Sequence, residues 1–194
     1  MQLLLRPKEG AQTEIDGFQY LSFLNTKLEA GQSITGETGD RELGLVVLGG
    51  RCSVTSSAGE WTNIGRRPNV FSGMPYALYL PIGTRYTVTA ETACDLAFCL
   101  CRAEQSHPAK LITPADIEIE IRGGANATRQ INKIIRPEFA AHRLLVVEVY
   151  TPSGNWSSYP PHKHDVHNPP GEVDLEEIYY YRIDRPEGYA IQKV

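Results

Sequence analysis

A series of short apolar segments runs between about Tyr20 and Ala103. Stretches such as LGLVVLGGRCSVTS and PYALYLPIGTRYTVTAE carry Val, Leu, Tyr and Thr in runs of strand length, separated by Gly, Pro and Asn. β-branched and aromatic residues favour strands, and turn residues at such short intervals are typical of a β-sandwich or barrel. Long helical periodicity is absent from this region. The sequence therefore predicts an all-β fold.

Composition narrows the classes of partner. With 194 residues, of which 41% are hydrophobic, the chain can build a sizeable core in one or two domains. The formal net charge is -4 and the two signs are mixed along the chain, so there is no basic stripe for nucleic acid. No window approaches the roughly 18 uninterrupted apolar residues of a membrane span. The start, MQLLLRPKEG, does not have the order of a signal peptide. We expect a cytoplasmic protein that binds neither nucleic acid nor membrane.

The four cysteines are predicted to belong to the core. Cys94, Cys99 and Cys101 lie in CDLAFCLC, among apolar neighbours, and Cys52 lies in another strand-like run. Cys99 and Cys101 are two residues apart and share one face of a strand. The alternative is a disulfide or zinc role, but no CxxC spacing is present. Small buried hydrophobes are the favoured interpretation.

A polar, proline-containing stretch, AEQSHPAKLITPADIEI, separates two β-rich regions and is followed by the Gly123-Gly124 break. A second β-rich run begins at HRLLVVEVY and continues through EEIYYYRI to the last residues. We predict an N-terminal β-sandwich over residues 1–105, a connector over 106–140 and an incomplete second unit over 141–194. An internal duplication of sandwiches would account for this asymmetry.

The stretch SSYPPHKHDVHNPPGEVDLEEIYYYRI is a candidate metal site. In an extended segment His162 and His164 project from the same face, within reach of one ion at about 2.0–2.1 Å per nitrogen. The preceding prolines favour an extended backbone. A downstream glutamate would complete a nitrogen and oxygen set suited to Zn, Mn, Fe or Ni. The alternative is that the histidines are simply solvated or hydrogen-bonded.

Two adjacent carboxylates qualify as the oxygen ligand. Glu177 shares its strand face with Tyr179 and Tyr181, whereas Glu176 shares its face with Ile178 and Tyr180. Strand parity alone leaves the choice between them open.

Four motifs together resemble a known family. NWSSYPPHKHD, LEEIYYYRI, RGGANATRQINKII and VFSGMPYALYLPIGTRYTV are similar to the 5-deoxy-glucuronate isomerase family of myo-inositol catabolism, which is related to the 4-deoxy-5-ketouronate isomerases. The resemblance implies a bicupin: two cupin-type β-sandwich barrels, here with the second one incomplete, and a metal in the C-terminal barrel. It places metal ligands at His162, His164 and Glu177 and leaves His167 on the intervening loop. It also implies a further histidine ligand beyond Val194, without which we expect the 194-residue form to be impaired in activity.

The activity that the resemblance implies is an aldose–ketose isomerisation of 5-deoxy-glucuronate to 5-keto-2-deoxy-gluconate. A divalent cation, zinc foremost, would bind the substrate oxygens as a Lewis acid. No residue identifies itself as the general base; Tyr179, Tyr181 and a metal-bound hydroxide are candidates. Arg129 or Arg182 would clamp the substrate carboxylate, or else form structural ion pairs. The resemblance also implies an oligomeric assembly, so we expect a homo-oligomer.

Two rival functions use the same fold. A cupin with a His-His-Glu site can be an Fe(II)-dependent dioxygenase, which would consume oxygen. A non-catalytic sugar-binding cupin would bind its ligand without turnover or metal dependence.

Overall fold

The computed structural model describes Leu4, Arg6, residues 13–15 and residues 17–193 of the chain. These residues form thirteen strands and two short 3-10 turns, Pro114–Asp116 and Ala125–Ala127. The prediction of an all-β fold is confirmed. In the described part of the chain no helix has the length and hydrophobicity needed to cross a membrane.

The largest sheet contains six strands. Their spatial order is β1 (Thr13–Glu14), β2 (Leu21–Leu28), β9 (Cys94–Arg102), β4 (Arg41–Gly49), β7 (Tyr76–Leu80) and β10 (Lys110–Ile112), with every neighbouring pair antiparallel. Strand β4 is buried along almost its whole length rather than at alternate positions. A strand with that pattern lies in a sheet that is covered on both faces.

A four-stranded sheet covers one face. It has the order β3 (Ser33–Glu37), β8 (Arg85–Ala90), β5 (Cys52–Ser56) and β6 (Gly59–Ile64). Leu43, Leu45 and Val47 of β4 point into the space between the two sheets and pack with Val54 and Val88. Alternating side chains from both sheets thus build the core of a β-sandwich.

The other face of the six-stranded sheet is covered by the second half of the chain. A second apolar cluster joins Val46 and Tyr79 of that sheet to Ile134, Ile135 and Leu144. Gly44 permits the close approach, because a Cβ there would stand 3.1 Å from Ile135 Cδ1 and 3.3 Å from Leu144 Cδ2.

Part of this layer is a three-stranded antiparallel sheet in the order β11 (Glu118–Arg122), β12 (Arg129–Ile135) and β13 (Val146–Tyr150). Residues 106–140, predicted to be a connector, therefore contain β10, β11 and β12. The division of the chain at 105 and 140 stays a prediction.

Two buried polar contacts hold the layers together. Glu42 is fully buried, and its carboxylate accepts hydrogen bonds from Tyr79 Oη and from the backbone N–H groups of His142, Arg143 and Leu144 at 2.6–2.8 Å. A buried carboxylate with several donors is satisfied, whereas one without them would be strongly destabilising. Glu42 therefore fixes the segment between β12 and β13 against the six-stranded sheet.

The second contact is an ion pair between the loop after β6 and strand β13. Arg67 donates two hydrogen bonds to Glu148, at 2.7 and 3.0 Å, and the Arg67 side chain is only 2% exposed. Tyr150 Oη also donates to Glu148, at 2.9 Å. This bidentate geometry orients the three-stranded sheet on the sandwich.

The predicted strands after Tyr150 are not formed. Residues 151–193 contain no strand, only an isolated antiparallel bridge between Asn168 and Glu172. The prediction of a β-strand around His162 and another after Glu177 was therefore wrong for the described chain. Strand patterns in sequence become strands only where a neighbouring strand completes the hydrogen-bond ladder, and none lies beside these segments within residues 17–193.

The cysteine prediction is confirmed. All four cysteines are free; Cys52, Cys94 and Cys101 are buried and Cys99 is half-buried. Cys99 and Cys101 both belong to the second apolar cluster, as their shared strand face requires. Burial raises the pKa of Cys52, Cys99 and Cys101 to about 12.

Candidate functional site

A closed loop brings the predicted site residues together. The backbone N–H of Leu175 donates to the carbonyl of His164 at 3.2 Å, and that of Asn168 donates to the carbonyl of Glu172 at 2.9 Å. The chain therefore leaves His164, turns back and returns beside it. Glu177, two residues after this closure, comes to lie next to His164.

His164 has the hydrogen-bonding pattern of a metal ligand. Its Nδ1 is 2.8 Å from the carbonyl oxygen of Val173, a contact that requires the proton to be on Nδ1. The lone pair is then on Nε2, which lies 4.0 Å from Oε1 of Glu177. A backbone carbonyl that fixes the tautomer in this way is the usual outer partner of a metal-binding imidazole.

His162 lies beside His164, with ring centroids 5.2 Å apart and planes at 89°. His162 and Glu177 thus each lie beside His164. Two imidazoles with a carboxylate have the chemistry of a Zn, Mn, Fe or Ni site. In the described residues, however, no three His, Cys, Asp or Glu side chains converge closely enough to hold an ion. The donor types fit a metal, but the donors are not drawn together around one point. His167, predicted to be a loop residue, is exposed on the loop.

The two adjacent glutamates have different environments. Glu176 accepts hydrogen bonds from the backbone N–H groups of Gln19, Tyr20 and Leu21 at 2.5, 2.9 and 2.9 Å. Its carboxylate is therefore committed to the start of β2, whereas that of Glu177 is on the side of His164. Strand parity leaves the choice between the two carboxylates open, and the packing places Glu177 with the histidines.

Residues 178–181 likewise alternate between a side that packs on the sandwich and a side that is exposed. Ile178 and Tyr180 pack against the second apolar cluster, and the Tyr180 ring is 4.8 Å from that of Phe23. Tyr179 and Tyr181 lie on the exposed side with their rings 6.3 Å apart and nearly parallel. The outer face therefore combines two tyrosines with Glu177.

Tyr179 is the tyrosine in contact with the candidate site. Its hydroxyl donates to Glu177 Oε2 at 3.1 Å. Desolvation and the nearby Glu177 charge raise the pKa of Tyr179, and desolvation raises that of Tyr181. Both phenols consequently hold their protons at neutral pH.

The structure pairs the two predicted carboxylate-binding arginines with other groups. Arg182 is exposed and forms an ion pair with Asp95 of β9, and its guanidinium carbon is 5.1 Å from the centroid of the Tyr180 ring. Arg129 is buried at the start of β12, and its Nη1 donates to the carbonyl of Ala127 at 3.0 Å. Neither makes a described contact with His162, His164 or Glu177.

Sequence reasoning missed Glu172. Its carboxylate accepts hydrogen bonds from Lys163 Nζ at 2.9 Å and from the backbone N–H groups of Asp165 and Val166 at 2.7 and 3.0 Å. These bonds fix the loop on either side of His164. The only signal in the sequence was an acidic residue after a Pro-Pro-Gly turn, which does not specify a partner.

Comparison with known proteins places the chain in a family. The model of the KduI/IolB family matches residues 8–194. The chain belongs to the KduI/IolB family. Among curated relatives, the 5-deoxy-glucuronate isomerase of Geobacillus thermodenitrificans is 44% identical over 182 residues, which are 93% of this chain and 66% of that protein. The 5-deoxy-glucuronate isomerase of Shouchella clausii is 38% identical over 206 residues, covering all of this chain and 76% of that one.

A solved member of the family has the same fold. The crystal structure of an IolB-like protein from Salmonella typhimurium LT2 superimposes with a TM-score of 0.78 at 38% identity, covering 81% of this chain and 60% of that one. The predicted cupin-like β-sandwich is thereby confirmed. The chain spans about two thirds of the length of these relatives: 66% of the protein from Geobacillus thermodenitrificans and 65% of the 5-deoxy-glucuronate isomerase of Geobacillus kaustophilus.

Proposed function

We propose that the chain carries the metal-binding part of an isomerase that converts 5-deoxy-glucuronate to 5-keto-2-deoxy-gluconate, an aldose–ketose reaction of inositol catabolism. The observation that carries the proposal is the position of His162 and Glu177 on either side of the half-buried His164, in a chain whose curated family relatives are named 5-deoxy-glucuronate isomerase. The substrate is thus a small deoxy-uronate.

The reaction moves two protons and no other atoms. One proton leaves the carbon that bears the hydroxyl group and is returned to the neighbouring aldehyde carbon, while the hydroxyl proton passes to the former aldehyde oxygen. The difficulty is the negative charge that develops on the two oxygens between these steps. A site for this reaction must therefore bind both oxygens and hold a base beside the carbon.

We assign a divalent cation, with zinc foremost and Mn, Fe or Ni as alternatives, to His162, His164 and Glu177. When bound there, such an ion supplies Lewis-acid stabilisation of charge on the substrate oxygens. The exposure of His162 and Glu177 supports the assignment, because exposed side chains can change rotamer and close around an ion at little cost. The Val173 carbonyl keeps Nε2 of His164 available as a ligand.

The tyrosines are suited to donate protons rather than to remove them. Since the pKa of Tyr179 and that of Tyr181 are both raised, neither phenol is a base at neutral pH. Tyr179, which already donates to Glu177, can orient that carboxylate. The general base is therefore a group other than these two phenols.

Binding of the substrate carboxylate by Arg129 and Arg182 stays a prediction, and the described partners of both arginines are structural. A cytoplasmic location and a homo-oligomeric assembly also stay predictions.

The test measures bound metal and turnover of 5-deoxy-glucuronate on the same preparations. We expect His164→Ala and Glu177→Gln each to weaken metal affinity and turnover together by about 100-fold or more, because loss of even an outer partner of a metal ligand costs about 10–100-fold. His167→Ala is the matched control, since it removes an imidazole from the same loop without removing a predicted ligand.

Two results would contradict the proposal. If His164→Ala and Glu177→Gln kept both metal and turnover, the site would be misassigned. If turnover required oxygen, the reaction would be a dioxygenation rather than an isomerisation.

A further inference from the structure

The strand at the edge of the three-stranded sheet has an unusual combination of exposure and pattern. β11, with the sequence EIEIR, pairs with β12 on one side, and in the described residues no strand pairs with its other side. Its two isoleucines are exposed, Ile119 by 51% and Ile121 by 64%. An edge strand with free backbone groups and exposed apolar side chains is a site for pairing with another chain.

The order of side chains along β11 is complementary to itself when the strand is reversed. If two copies pair antiparallel with Glu120 opposite Glu120, then Glu118 of each copy faces Arg122 of the other, and Ile119 of each faces Ile121 of the other. Opposite charges and apolar pairs that lie directly across from each other stabilise antiparallel strands. Both kinds of pair occur twice, because the arrangement has a twofold axis through the Glu120 pair.

The like charges at the axis are compensated within each copy. Glu120 contacts Arg122 Nε at 2.7 Å and Lys133 Nζ at 3.1 Å. When two Glu120 carboxylates meet at the axis, four cationic groups therefore lie beside them: Arg122 and Lys133 of each copy. The charges, which usually protect an edge strand from pairing, are here arranged to accept a second copy.

We propose that β11 is the pairing edge of a homodimer, in which two three-stranded sheets join into one continuous antiparallel sheet with Glu120 at the twofold axis. The partner is a second copy of this chain. The pairing buries Ile119 and Ile121 and is independent of the metal site and of the activity.

Charge reversal tests the ionic pairs. Sedimentation of the 194-residue chain is expected to detect a dimer, and Arg122→Glu is expected to raise its dissociation constant about tenfold by placing Glu opposite Glu118 twice. Arg85→Glu is the matched control: it makes the same change at an exposed position on β8, an inner strand of the four-stranded sheet.

A cysteine scan tests the register independently of charge. Residues directly opposite in an antiparallel pair have Cα atoms about 4.5–5.5 Å apart, within the range that a disulfide spans. Glu120→Cys should therefore form a disulfide-linked dimer on mild oxidation, identified by peptide mapping. Ile119→Cys and Ile121→Cys should not cross-link. In this register residue 119 is opposite residue 121 of the second copy, so two cysteines at the same position are diagonal neighbours and too far apart for a disulfide.

Three results would overturn the proposal. One is a chain that stays monomeric at concentrations up to about 100 μM. Another is a dimer whose affinity is as insensitive to Arg122→Glu as to Arg85→Glu. The third is a dimer in which Cys at position 120 does not cross-link.

Discussion

Glu176 and Glu177 are adjacent in the sequence, yet one carboxylate accepts three backbone N–H groups from Gln19, Tyr20 and Leu21 and the other lies 4.0 Å from Nε2 of His164. One glutamate is thus a structural link between the two ends of the chain. The other belongs to the candidate metal site. Because the two side chains are chemically identical, the substitution of one glutamate serves as the control for the substitution of the other.

Glu176→Gln is expected to lower the free energy of unfolding by about 1–3 kcal/mol, because an amide group has only one acceptor oxygen for three backbone donors. Glu177→Gln is expected to change it by less than about 0.5 kcal/mol, as is usual for exposed positions. Urea titration followed by circular dichroism measures both. Equal effects of the two substitutions would mean that Glu176 does not hold the start of β2.

The Arg67–Glu148 ion pair should be among the most sensitive polar contacts in the fold. Glu148→Gln leaves a guanidinium that is 2% exposed without its counter-charge, and we expect a loss of about 3 kcal/mol in the free energy of unfolding. Asp40→Asn breaks the exposed Arg102–Asp40 pair and serves as the comparison, with an expected change below about 1 kcal/mol. A smaller loss for Glu148→Gln than for Asp40→Asn would show that the buried pair does not fix the second layer.

The cysteines should be nearly inert in the folded protein. At a pKa of about 12, the thiols of Cys52, Cys99 and Cys101 are roughly a thousandfold less ionised at pH 8 than ordinary thiols. Iodoacetamide should therefore label them slowly in buffer and rapidly in denaturant. Fast labelling of any of the three in the native state, located by mass spectrometry, would contradict their assignment to the core.

Acid should loosen the loop around His164. The hydrogen bond and charge of Lys163 lower the pKa of Glu172, so the folded loop binds this proton less readily than the unfolded chain does. The resulting stabilisation is present above the unfolded pKa of about 4.3 and is lost as the pH falls through the lower folded value. Below about pH 4.3 the amide resonances of Asp165 and Val166 should shift as Glu172 takes up its proton, and this shift should be absent from Glu172→Gln.

Glu172→Gln should move the same two resonances already at pH 7, because it removes the charge that Lys163 and the amides contact. Glu187→Gln, at an exposed position outside the loop, is the control and should leave them in place. A shift below about pH 4.3 that persists in Glu172→Gln would argue that another carboxylate governs the loop.

Much of the fold was predictable because its determinants are local. Strand-length runs of Val, Leu, Tyr and Thr between turn residues specified an all-β chain, and apolar neighbours specified buried cysteines. The candidate ligands were also found locally, since the spacing of His162 and His164 and a downstream glutamate is a short-range pattern. The strands predicted after Tyr150 were not formed, because a strand depends on a partner that its own sequence does not contain.

Local sequence patterns were enough to predict the fold class, the core cysteines and the types of candidate donor. The orientation of these side chains depended on packing: Glu176 faces β2 while Glu177 faces His164, Arg182 lies against Asp95, and Glu172 closes the loop. Strand parity separates two faces of a segment, but it does not specify which face is covered. The covered face is chosen by packing against residues more than a hundred positions away, which bury Ile178 and Tyr180 and leave the opposite side exposed.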